Sequence, residues 1–283
     1  MDSTPTVTTA APRGPSLAPV ISNTNVAPRH YAMILEAPKI ASVARAGQFV
    51  HVLTRDASNR DPFLRRAFSI MAVREPHIEI LFRVEGRGTA WLSEVEPGQV
   101  VDLLGPLGNP FDLEPFHVKQ GLQPILVGGG VGVPPMVFLG ETLKEQGLEP
   151  LAIVGARSQA EVLCEPQFAN LAIPCLIATE DGSQGRQGRV TLLLEEALTE
   201  NPNSVVYSCG PWPMLHAVAA VAARFGALCQ VSMEENMPCG IGVCNGCVVA
   251  MKQESEGTDF ERYRRVCIEG PAMWATEIDW GKA

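Results

Sequence analysis

The chain has 283 residues, 46% hydrophobic and 19% charged, so it has room for two or three globular domains. Its formal charge of −9 argues against nonspecific binding to nucleic acid. No membrane association is expected, because the most apolar helix candidate, Ala217 to Ala223, stops at Arg224. The start, Met1-Asp2-Ser3-Thr4-Pro5, has neither the basic opening nor the apolar core of a signal peptide. Eight cysteines without an export signal fit a reducing cytoplasm.

Residues 1–16, rich in Thr, Pro, Ala and Ser, read as a flexible N-terminal tail. From 17 to 115 the signals are short β-rich runs split by Gly and Pro: Tyr31–Leu35, Gln48–Leu53, Ala67–Ala72, Ile78–Val84 and Val100–Leu104. That spacing predicts a small antiparallel β-barrel, with one helix candidate at Thr89–Glu94. From 116 to 230 strands alternate with helices. Pro124–Val127, Leu151–Gly155, Leu176–Thr179 and Val205–Ser208 are strand candidates; Pro134–Gln146, Thr191–Leu198 and the stretch after Pro211 are helical. Such alternation predicts a parallel α/β sheet of the nucleotide-binding kind. Residues 231–283 form a small Cys/Gly-rich unit, with Glu254–Glu261 a polar excursion from a hairpin.

Gly128, Gly129, Gly130, Val131 and Gly132 fall where a strand hands over to a helix, and backbone amides there suit a pyrophosphate. Glycine-rich turns also serve packing alone. A second strand-to-helix turn, Ser208-Cys209-Gly210-Pro211, strengthens the reading, because strand C-termini are where open parallel sheets bind ligands. In the barrel half, Arg65-Arg66 precedes a β-run and Gly88-Thr89 opens a helix candidate. Both are chemistries for phosphate oxygens, although a solvated basic patch would look the same.

Cys239, Cys244 and Cys247 have the spacing C-x4-C-x2-C, and Cys267 follows as a lone fourth. This is the pattern of a plant-type [2Fe–2S] centre. Zinc also takes four thiolates, but its sites usually pair cysteines as two hooks. Glycines 240, 242 and 246 fit a loop curled around the cluster through positive φ. Cys164, Cys175, Cys209 and Cys229 lie scattered among apolar residues and read as buried small hydrophobes.

Together these segments resemble the ferredoxin reductase superfamily, and more closely the electron-transfer subunits of type B dihydroorotate dehydrogenase. The resemblance runs from about residue 17 almost to the end. Its order is Arg66-Ala67-Phe68-Ser69, Leu81-Phe82-Arg83, Gly88-Thr89, Gly105–Asn109, Gly128–Gly132, Asp181-Gly182-Ser183, Cys209-Gly210-Pro211, Glu234-Glu235 and the four cysteines, closing on Val266–Pro271. It implies FAD on the barrel: Arg66 at its phosphates, Ala67 and Phe68 alongside, Ser69 near the flavin ring. Leu81, Phe82 and Arg83 would flank the cofactor, and Gly88 and Thr89 would cap its pyrophosphate. Gly128–Gly132 would receive the nicotinamide dinucleotide, with Cys209 and Gly210 near its nicotinamide. Cys239, Cys244, Cys247 and Cys267 would ligate the cluster.

The chain departs from the family at Ala67, where proline is usual, at Asn245-Gly246 between ligands, and in the long gap before Cys267. No ligand is lost. The resemblance implies an FMN-containing dihydroorotate dehydrogenase catalytic subunit as partner, in a heterotetramer of two plus two. It implies electron flow from that FMN through [2Fe–2S] and FAD to NAD+, in pyrimidine biosynthesis, with no general base here. The alternative is the small subunit of an NADH-dependent ferredoxin:NADP oxidoreductase or a sulfide dehydrogenase. Arg157, after the strand Leu151–Gly155, could meet a 2′-phosphate, so NADP is not excluded; it could equally face water.

Overall fold

The computed structural model describes residues 15–56, 58–252 and 262–281. The expected tail up to position 14 and the expected excursion Glu254–Glu261 lie outside the described residues. Pro15 and Ser16, assigned to the tail from composition, instead open a strand, β1 (Pro15–Ala27). Its prolines at 15 and 19 and its polar stretch Ser22-Asn23-Thr24-Asn25 hide the period-2 signal.

Five further strands follow: β2 (His30–Glu36), β3 (Phe49–Leu53), β4 (Arg66–Arg74), β5 (His77–Arg83) and β6 (Val100–Leu107). The six close into an antiparallel barrel in the order β1-β2-β5-β4-β3-β6. Alternate residues point inward, and Val20, Met33, Val50, Val52, Ile70, Ile80 and Leu103 fill the interior. β4 changes character along its length: Ile70–Ala72 are buried, while Arg66 is exposed and Ala67–Ser69 half-buried. Its first half is thereby turned to the outside, where a cofactor can lie. Two helices belong to the barrel, α1 (Pro38–Ala41) and α2 (Arg87–Glu94).

A short helix, α3 (Glu114–Val118), leads to the sheet. The elements then alternate as expected: β7 (Gln123–Gly129), α4 (Pro134–Glu145), β8 (Leu151–Ala156), α5 (Glu165–Asn170), β9 (Cys175–Thr179), β10 (Arg186–Gln187), α6 (Val190–Glu200), β11 (Ser204–Cys209), α7 (Trp212–Arg224) and β12 (Leu228–Ser232). The strand order β10-β9-β8-β7-β11-β12 is parallel throughout. The chain direction across the sheet reverses between β7 and β11, the switch point at which such sheets bind ligands. Pro134 and Pro135 suit the first turn of α4, where a missing N–H costs nothing. α4 packs on β4, and Arg74 pairs with Glu141 at 2.7 Å, so barrel and sheet share a wall.

The C-terminal segment does not stay a separate unit. β13 (Val248–Ala250) and β14 (Tyr263–Arg265) form a hairpin, but β15 (Ala272–Trp274) returns to the α/β sheet, antiparallel to β12. On the way it touches the barrel: the Asn109 amide donates to the Gly270 carbonyl at 2.6 Å, and the Asn109 side chain donates to the Glu269 carbonyl. Gly108 sits at this junction with φ +76°, and a Cβ there would lie 2.5 Å from Pro271 Cδ. Gly108→Ala therefore combines backbone strain with a clash. A destabilisation of about 2 kcal/mol is expected, read as a lowered midpoint of thermal unfolding.

Candidate functional site

One cleft of about 1200 Å³ runs between the barrel, the switch point and the approach to the cysteine loop. It exceeds the few hundred to about 1,000 Å³ of a site for one small ligand. Its barrel side includes Arg66, Ala67, Phe68, Ser69, Leu81, Phe82, Arg83, Gly88 and Thr89, the residues expected from sequence, together with His30, Phe49, Leu64, Glu85, Gly86 and Arg87, which were not. β4 and β5 bring Arg66–Ser69 and Leu81–Arg83 together because they are neighbours in the barrel. Phe82 is packed between Tyr31 and Phe68, with ring centroids 5.8 and 5.6 Å away, and of the three Phe68 and Phe82 line the cleft.

The barrel-side arginines are not equivalent. Arg65 pairs with Asp102, Arg83 with Glu85 and Arg87 with Asp61. Arg66 donates only to the backbone carbonyls of Leu64 and Arg65 and has no carboxylate partner among the described residues. Its charge is thus available to phosphate oxygens. Thr89 differs from the expectation: its hydroxyl accepts from the amides of Glu85 and Gly86 and so caps α2. What α2 can offer a pyrophosphate is its first backbone amides. Gly88 lines the cleft but is also needed for packing, since a Cβ would sit 2.4 Å from the Oγ1 of buried Thr54.

The glycine turn also divides. Gly129, Gly130 and Val131 line the cleft. Gly128 and Gly132 do not; their Cβ positions are taken by Val133 Cα at 2.8 Å and the Cys209 carbonyl oxygen at 2.3 Å. They are packing glycines that let the two strand-to-helix turns close on each other. Cys209 and Gly210 likewise stand behind the lining. Burial pushes the Cys209 thiol well up, so it is a neutral group.

The cleft continues along Glu234, Glu235, Met237 and Pro238 toward the cysteines. Desolvation in the cleft wall raises the Glu234 carboxyl above its ordinary range, although its side chain stays exposed to solvent. The cysteine loop turns through Gly240 (φ +70°) and Gly242 (φ +78°) as expected. Gly246 does not adopt positive φ; Asn245 does, at +53°. Asn tolerates that region best after glycine, while Gly246 keeps clear of Pro238 and Cys244 Sγ, which a Cβ would meet at 3.1 and 3.4 Å.

The Cys244 thiol neighbours Cys239 and the Cys247 thiol neighbours Cys267, although among the described residues no three of them are already gathered at one metal position. Two pairs suit a binuclear centre in which each iron takes two thiolates. A single zinc would need all four on one point. Burial opposes ionisation of Cys239, but amide donors from Ile241, Cys244 and Val243, with the Cys244 thiol, outweigh it and lower the group to about 6. Those same amides are what stabilise a metal-bound thiolate. Arg265 braces the loop, donating to the Gly242 carbonyl at 2.9 Å and pairing with Glu269.

The remaining cysteines lie outside this group, Cys164 beside Met71 at 3.8 Å and Cys229 buried in β12. Sequence reasoning missed His51. It is wholly buried beneath the cysteine loop, and burial pushes its imidazole down to about 4, so it is neutral. A lone histidine in an alternating strand carries no signal of that position.

Residues 234–279 match the model of the iron–sulfur cluster binding domain of dihydroorotate dehydrogenase B, and residues 126–220 match the oxidoreductase NAD-binding domain. The electron transfer subunit of dihydroorotate dehydrogenase B (NAD(+)) from Bacillus caldolyticus is 38% identical over 92% of this chain and 96% of its own. The corresponding subunit from Desulforamulus reducens is 36% identical over 93% and 97%. Among solved structures, an NADH-dependent reduced ferredoxin–NADP oxidoreductase superposes with a TM-score of 0.80 at 24% identity, over 94% of this chain and 90% of that one, a likeness of fold. With such identity across nearly the whole of both chains, this protein belongs to the family of dihydroorotate dehydrogenase B electron transfer subunits.

Proposed function

We propose that this chain carries electrons from the FMN of a separate dihydroorotate dehydrogenase catalytic subunit, by way of a [2Fe–2S] centre and FAD, to NAD+. The observation that carries the reading is the single cleft, which joins the barrel face, the switch point of the sheet and the arm leading to the paired cysteines. Nicotinamide exchanges a hydride and an iron–sulfur centre single electrons, and FAD is the group whose chemistry joins the two. The protein's share is to bind and orient. Arg66 and the amides of α2 hold phosphates, Phe68 and Phe82 support the flat ring, and Gly129–Val131 admit the dinucleotide. Cys239, Cys244, Cys247 and Cys267 hold the cluster.

We propose that the chain works in pyrimidine biosynthesis in the cytoplasm, within a heterotetramer of two copies of each subunit. Among the described residues no helix is long and apolar enough to cross a membrane. The test is anaerobic co-purification with the host's catalytic subunit, then an assay with dihydroorotate and NAD+. NADH formation that depends on this chain supports the proposal; turnover only with ferredoxin or sulfur compounds and NADPH overturns it.

That second outcome has one observation in its favour, since Arg157 lines the cleft beyond β8. Glu161 and Glu180 line it as well, and a 2′-phosphate would meet their charge. NADH is therefore expected to bind at least about tenfold more tightly than NADPH. Titration of the flavin absorbance with each nucleotide measures this, and equal affinities would count against the assignment.

A further inference from the structure

His51 lies between the segment Arg66–Ser69 and the cysteine loop. On one side its strand, β3, pairs with β4 so that His51 stands opposite Ala67 in the segment Arg66–Ser69. On the other side its ring carries the cysteine loop. A Cβ on Gly240 would lie 2.7 Å from His51 Nδ1 and 2.9 Å from Cε1, so the backbone next to Cys239 rests directly on the imidazole. The backbones of Met237 and Cys239 also face the ring, and Phe49 meets it edge-on at 6.4 Å.

This is an expensive residue to bury. His51 is 0% exposed, and neither ring nitrogen closes a hydrogen bond of ordinary geometry. Buried polar atoms left in that condition destabilise a fold, and an apolar side chain of similar volume would not. A local rule broken next to a site points to a role at that site. The neutral imidazole has one N–H to give and one lone pair, and the backbones it faces are those of Met237 and Cys239.

We propose that His51 is a positioning residue, which tethers the loop bearing Cys239 to the flavin-bearing strands and so fixes the cluster relative to the barrel. It acts through the loop backbone, as residues just outside a metal's ligands do when they orient those ligands. The inference rests on the cluster reading above.

The test compares wild type with His51→Leu and His51→Gln, each loaded with FAD and anaerobically reconstituted with iron and sulfide. Three quantities are read: the thermal midpoint before reconstitution, the half-life of cluster absorbance under a chelator, and the electron paramagnetic resonance spectrum of the reduced cluster. In the Leu variant the midpoint is expected to hold or rise. Its cluster half-life is expected to fall by about tenfold or more, with a broadened spectrum. Glutamine, which restores a donor, should recover most of the half-life. Should the Leu variant not fold, His51→Met carries the same comparison with a more adaptable side chain.

A half-life and spectrum like wild type in the apolar variant overturn the proposal. So does a joint fall of midpoint and half-life, which would make His51 a packing residue. A wild-type chain that takes up no cluster would sink the underlying reading instead, and the two failures are distinct.

Discussion

Replacing Cys247 by serine is expected to remove the iron–sulfur absorbance and to cut dihydroorotate-dependent NADH formation, with the catalytic subunit present, by at least about a hundredfold. Cys247 is 2% exposed and faces Cys267, so no solvent group can replace it without moving the loop. A serine hydroxyl is a harder and far less acidic ligand than a thiol, poorly matched to iron in a sulfide cluster. NADH oxidation by ferricyanide should stay near the wild-type rate, because the lining of the cleft includes none of the four cysteines. Serine at Cys229 is the control. That thiol is buried in β12, pushed up to about 12 by burial alone, and iron content should be unchanged. A Cys247→Ser protein that keeps a full cluster would contradict the ligand set.

The barrel and the sheet were legible because their signals are local. Short β-runs broken by Gly and Pro, and strands alternating with helices, are properties of neighbouring residues. β1 was not legible, because its prolines and polar run conceal alternation; only pairing with β2 and β6 makes it a strand. β15 escaped for a related reason, being a three-residue strand that exists through its partner β12. At the site, the cysteine spacing and Arg66–Ser69 could be read directly, since function there demands residue types at fixed offsets. His51 could not. It is defined by what surrounds it in space, and burial of a histidine leaves no mark on the residues next to it in the chain.

The glycine turn shows the same division within five residues, and it yields a contrast that can be measured. Gly132→Ala would put a Cβ 2.3 Å from the Cys209 carbonyl oxygen and 2.5 Å from the Gly210 nitrogen. Both obstacles are backbone, at the point where β7 and β11 are paired, so neither can move without parting the switch point. A loss of about 3 kcal/mol or more is expected, a fall of roughly 6–12 °C in the unfolding midpoint for a chain of this size. Gly129→Ala meets something different: its nearest obstacle, at 2.5 Å, is Met214 Sδ, on a flexible side chain that can swing aside. Its fold should be nearly unperturbed. Because Gly129 lines the cleft, the added methyl group instead stands where the dinucleotide approaches the backbone. The Gly129 variant should therefore show a raised KM for NADH at a normal midpoint, and the Gly132 variant a lowered midpoint. Thermal melts and NADH–ferricyanide kinetics on both proteins separate the two roles, and equal losses of stability would show that the turn acts as one structural unit.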